Sequence, residues 1–152
     1  MNRTEQAVVL DTNVVLDLFL FNDPQTAALR AALLQGQLGW HATPAMREEL
    51  ARVLDYPHIA DRLRQRGNTP EALLQAFDRQ VITVPVAPRA SCVCKDPDDQ
   101  KFIDLAVEHR ACLISKDGQV LRMARRLSRP GVTVARTWGE VHGTGRTVAS
   151  AT

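Results

Sequence analysis

The sequence predicts an α/β fold in which a mostly parallel sheet is covered by helices. Three observations lead there. Short apolar runs alternate with segments of helical periodicity along the chain, the pattern of strand–helix–strand units. Asp23-Pro24, Thr43-Pro44 and Thr69-Pro70 each read as a capping residue followed by proline in the first helical position. Acidic residues recur where apolar runs stop or helices begin, at the edge where open parallel sheets bind ligands.

Taken in order, Ala7 to Leu10 reads as a buried strand, and Asp11 to about Phe21 as a turn and helix. Asp23-Pro24 opens a helix expected to run to Gly36. Leu38 to Ala42 is a short strand, and Thr43-Pro44 starts a helix that Tyr56-Pro57 ends near Leu54. His58 to Arg66 is a further helical piece, stopped by Gly67-Asn68. Thr69-Pro70 opens the next helix, which ends near Gln80, and Val81 to Val84 is a strand. Pro85 to Lys95 reads as a loop, Asp98 to His109 as a helix with Asp98 well placed as its cap, and Cys112 to Ser115 as a strand. Gly118 to about Leu127 is a basic helix and Val132 to Ala135 the last strand. Residues 1–140 are expected to form one domain, with 141–152, small and polar, as a flexible tail.

Bulk properties narrow the class. A chain of 152 residues with 45% hydrophobic and 24% charged content suits one globular domain with a real core. The formal charge of +2 describes no general polyanion binder, but its distribution is uneven. Between Arg110 and Arg136 the only acid is Asp117, against Lys116, Arg122, Arg125, Arg126 and Arg129. Basic surface beside an acidic pocket suits a phosphodiester, although a solvated helix face explains either feature alone. Cys92, Cys94 and Cys112 form neither a disulfide framework nor a zinc spacing, and the four histidines complete no metal-ligand pattern. The expectation is a reducing, cytoplasmic setting, with no secretion signal at the N-terminus and no membrane span.

Helical phase sorts the acids. In the helix after Thr43, the stripe Met46, Leu50, Val53 and Leu54 faces the core. Glu49 lies about 85° from the centre of that stripe and Glu48 about 175°. After Pro97 the buried face is Phe102, Ile103 and Ala106. Asp99 falls within about 15° of its centre, Asp98 about 90° away and Asp104 about 150°. Glu49 and Asp99 therefore turn inward, while Glu48 and Asp104 do not. Asp11 and Asp117 each follow a strand. Each acid alone also fits an ordinary role as a cap, turn residue or surface acid. Four converging at one sheet edge make a site for a hard cation.

With those residues identified, the chain resembles the PIN-domain nucleases, most closely the toxin components of toxin–antitoxin systems. The resemblance runs from about Val8 to Val141. It rests on Val8-Val9-Leu10-Asp11-Thr12-Asn13-Val14, on the segment from Thr43 through Glu49-Leu50 to Leu54, on Asp96 to Ala106 carrying Asp99, and on Leu113 to Leu121 carrying Asp117. Val132 to Glu140 resembles the closing strand and short last helix. One departure is Lys116, where many relatives carry a small residue. A lysine there either contacts phosphate or competes with metal for Asp117.

The resemblance implies a three-layer α/β/α fold with a central, mostly parallel sheet of about five strands. It implies hydrolysis of RNA phosphodiesters with Mg²⁺ or Mn²⁺, a small antitoxin partner and a homodimer. Asp11 and Asp99 would hold metal most directly, Glu49 would handle the attacking water, and Asp117 would complete the quartet. Asn13 and Ser115 are expected as polar neighbours, and Lys116, Arg122, Arg125 and Arg126 as substrate contacts. The rival readings are a DNA nuclease and a non-catalytic binding module on the same fold. A haloacid-dehalogenase-type phosphatase is disfavoured because Asn13 stands where its second Asp belongs. A receiver domain is disfavoured because the strand from Val81 to Val84 ends in proline rather than an acid.

Overall fold

The computed structural model describes residues 6–141. Its centre is a five-stranded sheet of β1 (Gln6–Leu10), β2 (Leu38–Ala42), β3 (Val81–Thr83), β4 (Cys112–Ile114) and β5 (Thr133–Ala135). The order is β3-β2-β1-β4-β5 and every adjacent pair is parallel. Parallel neighbours need crossovers, and helices supply them on both faces, giving the three-layer α/β/α arrangement. Strand order reverses between β1 and β4, so the crevice at the carboxyl end of the sheet opens there.

The helices are α1 (Thr12–Leu16), α2 (Ala27–Leu34), α3 (Pro44–Leu54), α4 (Pro57–Gln65), α5 (Pro70–Gln80), α6 (Pro97–His109), α7 (Gly118–Leu121) and α8 (Ala124–Ser128). A π-helical turn over Asp17–Phe21 follows α1, a 3₁₀ turn over Pro24–Thr26 leads into α2, and residues 138–141 form a closing helical turn. Proline stands in the first turn of α3, α4, α5 and α6, where its missing N–H leaves no bond unmade. The residue before it often caps. Thr43 Oγ1 accepts from Met46 N at 3.3 Å, and Thr69 Oγ1 from Ala72 N at 3.1 Å.

The core lies between sheet and helices. Val8 and Val9 of β1 and Leu113 of β4 are fully buried, as central parallel strands covered on both faces require. Trp40 on β2 stacks on Phe19 at 5.9 Å and meets Phe77 of α5 edge-on at 5.2 Å, tying the segment after β1 to the α3–α5 side. α6 packs on β1 and β4, α2 on β2, and α7 and α8 on β5.

The differences from the sequence reading are local. Asp96, not Asp98, caps α6, and its side chain accepts from Asp98 N at 3.0 Å. The reason is Pro97 in the first turn, which makes the preceding residue the cap, as at Asp23 before Pro24. The basic helix expected over 118–127 is two helices, because Met123 leaves the helical region at φ −89°, ψ 2°. The helix expected from Asp23 begins as a 3₁₀ turn, and its helical part ends at Leu34. The tail expected over 141–152 lies, apart from Val141, outside the described residues.

Candidate active site

Register brings two distant segments together at the switch point. Leu10 of β1 pairs with Ile114 of β4, so the residues that follow them lie side by side. Asp11 N donates to Ile114 O at 3.2 Å, and Ser115 N donates to Ala135 O at 3.0 Å, which carries the alignment across to β5. Asp11 then caps α1, its Oδ1 accepting from Val14 N at 3.1 Å. Its other oxygen accepts a short hydrogen bond from Ser115 Oγ. The same hydroxyl oxygen accepts from Asp117 N at 3.1 Å, and Asp117 caps α7 through Gln119 N at 2.8 Å. Ser115, wholly buried, thus fixes the first and fourth acids relative to one another.

α3 and α6 bring the other two. Asp11, Glu49, Asp99 and Asp117 all line one cleft of about 250 Å³, with Asn13 at its rim. The two acids that helical phase turned inward, Glu49 and Asp99, are the ones that line the cleft. Glu48 is exposed, while Glu49 is partly buried and borders the cleft. Asp104 turns away and has a different task. Its Oδ1 accepts from Ala90 N and from Gln100 Nε2, both at 2.8 Å. Gln100 also bonds Cys94 N at 2.7 Å and Cys92 O at 2.9 Å, so this pair pins the loop between β3 and α6.

The acids are close enough to need an explanation. Oxygens of Asp96, Asp99 and Asp117 all lie within 4.8 Å of one another. Asp99 Oδ2 is buried and has no hydrogen-bond partner. Burial and then the neighbouring Asp117 carboxylate push the Asp99 carboxyl up to about 7 from the usual 3.8. Burial also raises Asp11, against the opposing hydrogen bonds from Ser115 and Val14 N, with Asp117 adding to the rise and Lys116 reducing it. A buried oxygen without a donor, with other carboxylates close by, fits a divalent cation with oxygen preference, for which all the donors present are suitable.

Three residues here were not read from the sequence. Asp96 belongs to the acid group as well as capping α6, and the Asp-Pro pair was its signal. Lys101 Nζ lies 2.5 Å from Glu49 Oε1, an ion pair without hydrogen-bond geometry, and donates to Asp98 O at 2.8 Å. No local pattern announces a contact between α3 and α6. Asp17, buried in the π-helical turn, holds Lys116 Nζ at 2.6 Å. Lys116 therefore points into a separate small cavity beside Arg136 and Thr137, away from Asp117. Arg122, Arg125 and Arg126 are exposed, and none of them lines the cleft.

The acidic cleft lies at the switch point of a parallel α/β sheet of order β3-β2-β1-β4-β5. The chain belongs to the PIN domain family, whose sequence profile matches residues 7–119. That span runs from β1 through Asp117 and includes every acid of the cleft. The uncharacterized protein MJ1680 of Methanocaldococcus jannaschii is 25% identical over 127 residues, covering 81% of this chain and 78% of its own. Among the described residues no helix is long and apolar enough to cross a membrane.

Proposed function

We propose that the protein is a metal-dependent endoribonuclease that hydrolyses RNA phosphodiester bonds and serves as the toxin of a toxin–antitoxin pair. The observation that carries the catalytic part is Asp99 Oδ2, buried and unpartnered, with Asp96 and Asp117 around it. Such an oxygen calls for a proton, a water or a cation, and of these the cation also offsets the charge of Asp96 and Asp117 beside it. Asp99, Asp117 and Asp11 would hold Mg²⁺ or Mn²⁺, with Asp96 adding charge nearby. The ion supplies a lowered pKa for water and a polarised phosphoryl oxygen. Ser115 keeps Asp11 and Asp117 in place, so the donor set does not reorganise when substrate arrives. Glu49, on the opposite helix, would accept a proton from the attacking water, and Lys101 holds its carboxylate in place. Arg122, Arg125 and Arg126, beyond the helix that starts at Asp117, meet phosphates flanking the cut. The toxin role, a small antitoxin and a homodimer rest on the family resemblance.

The test is cleavage of a mixed RNA pool and of matched single-stranded DNA, with Mg²⁺ or Mn²⁺ and with EDTA. RNA cleavage is expected with metal, lost in EDTA and reduced about a hundredfold or more in Asp99→Asn. Cleavage that survives EDTA or Asp99→Asn refutes the site, and preferential cutting of DNA moves the substrate. Co-purification with the product of an adjacent small gene tests the antitoxin.

A further inference from the structure

The cleft is lined by two unlike sets of side chains. One is the acids. The other is apolar and aromatic, Leu16, Val53, Tyr56, Ile59 and Phe102, with His58 beside Tyr56. Tyr56 stands out among these. It is 49% exposed, and it is the one aromatic among the large apolar side chains that the described residues leave exposed. The other rings are engaged elsewhere: Phe19, Trp40 and Phe77 pack on one another, and Phe21 lies under the Arg62 guanidinium at 5.0 Å.

The backbone beneath Tyr56 is firmly held. Tyr56 N donates to Val53 O at 3.0 Å, closing α3, and Tyr56 O accepts from Ile59 N at 3.0 Å and Ala60 N at 2.8 Å, opening α4. Pro57 then locks the turn. The ring is thus presented on a rigid corner at the mouth of the acid cleft, with the His58 ring 6.3 Å away and inclined by 33°. A flat, exposed ring on a fixed backbone binds a planar partner with little ordering cost.

We propose that Tyr56 is a stacking platform for one nucleobase of a single-stranded nucleic acid, that of the nucleotide next to the phosphate that a cation on the acids would hold. A nucleotide has the same two-sided chemistry as the cleft, with an anionic phosphate at one end and an apolar planar base at the other. Phosphate alone leaves the aromatic set without a partner, and a duplex hides its base faces in its own stack. Stacking accepts any base and so adds affinity with little sequence choice. This subsite deepens the nuclease reading and rests on it for the placement of the phosphate. Tyr56 is a substrate-binding residue and holds no metal.

The experiment uses the full chain and a single-stranded RNA oligonucleotide carrying 2-aminopurine, whose fluorescence falls on stacking. Binding is followed with Ca²⁺ in place of the catalytic ion and cleavage in Mn²⁺. The expected result is quenching by the wild type, lost in Tyr56→Ala and retained in Tyr56→Phe and Tyr56→Trp. In cleavage, Tyr56→Ala raises KM about tenfold, the fold-change that about 1.4 kcal/mol of lost stacking produces. Its Mn²⁺ affinity is unchanged, and an abasic substrate erases the difference from wild type. Quenching or KM that is unaltered in Tyr56→Ala overturns the subsite while leaving the nuclease intact. Quenching through Tyr56 without any cleavage supports the subsite and overturns the catalytic reading. Neither quenching nor cleavage overturns both.

Discussion

Replacing Asp99 with asparagine tests the electrostatics of the cleft without needing a substrate. In the metal-free protein the Asp99 carboxyl is raised from 3.8 to about 7, first by burial and then by Asp117. The folded state therefore binds a proton that the unfolded state has released. Stability from this group is fully present below about pH 4 and is lost as pH rises toward 7. At about 1.36 kcal/mol per pH unit across that window, the loss reaches up to about 4 kcal/mol. Asparagine imitates the protonated acid, because its amide donates to the Asp117 carboxylate and carries no charge. Asp99→Asn is expected to match wild type near pH 4 and to exceed it in EDTA at pH 8. Urea unfolding of both proteins between pH 4 and 8, taken as a difference, isolates Asp99 together with its coupling to Asp117 and Asp11. Saturating Mn²⁺ at pH 8 is expected to reverse the order, because it stabilises only the protein with the complete acid set. A difference that stays flat across the range, or a variant less stable than wild type at pH 8 in EDTA, refutes the reasoning.

Two further changes separate the supporting residues. Ser115→Ala removes the donor to Asp11 and the acceptor for Asp117 N from a wholly buried position, with an expected loss of about 1–3 kcal/mol in urea unfolding and weaker Mn²⁺ binding by calorimetry. An unchanged Mn²⁺ affinity would show that Ser115 does not set the geometry. The Asp17–Lys116 pair is asymmetric, with side-chain exposures of 12% and 40%, so its two halves are expected to cost differently. Lys116→Met strands a buried carboxylate and costs about 2 kcal/mol, whereas Asp17→Asn frees a half-exposed ammonium and costs less than about 1 kcal/mol. Equal costs in thermal or urea unfolding contradict the burial argument.

What the sequence made legible followed from periodicity and from covalent restrictions on the backbone. The five strands were readable within a residue or so of their ends: β1 and β4, at the centre, are buried apolar runs, and the others stand between recognisable helix signals. Helical phase alone separated Glu49 from Glu48 and Asp99 from Asp104, since direction around a helix is fixed by spacing. Contacts between elements were not readable. Nothing local links Glu49 to Lys101 or Asp17 to Lys116, and the reading of Lys116 as a phosphate contact or a competitor for Asp117 had no access to the carboxylate that holds it. Asp96 was within reach. The rule that makes Asp23 a cap before Pro24 applies equally to Asp96 before Pro97, and applying it would have moved the cap and exposed the fifth acid.

The hydrogen bond from Ser115 to Asp11 closes a loop of 104 residues. β1 is made before β4, so the central strand receives this neighbour only late. Loop closure over that distance precedes any reward from the contact, so this edge of the sheet forms after the helices around it have local reasons to exist. While the chain is still on the ribosome, and in any fragment ending before β4, Asp11 has neither Ser115 nor Asp117 beside it. The proposed nuclease activity, if it depends on their union, would be absent from incomplete copies.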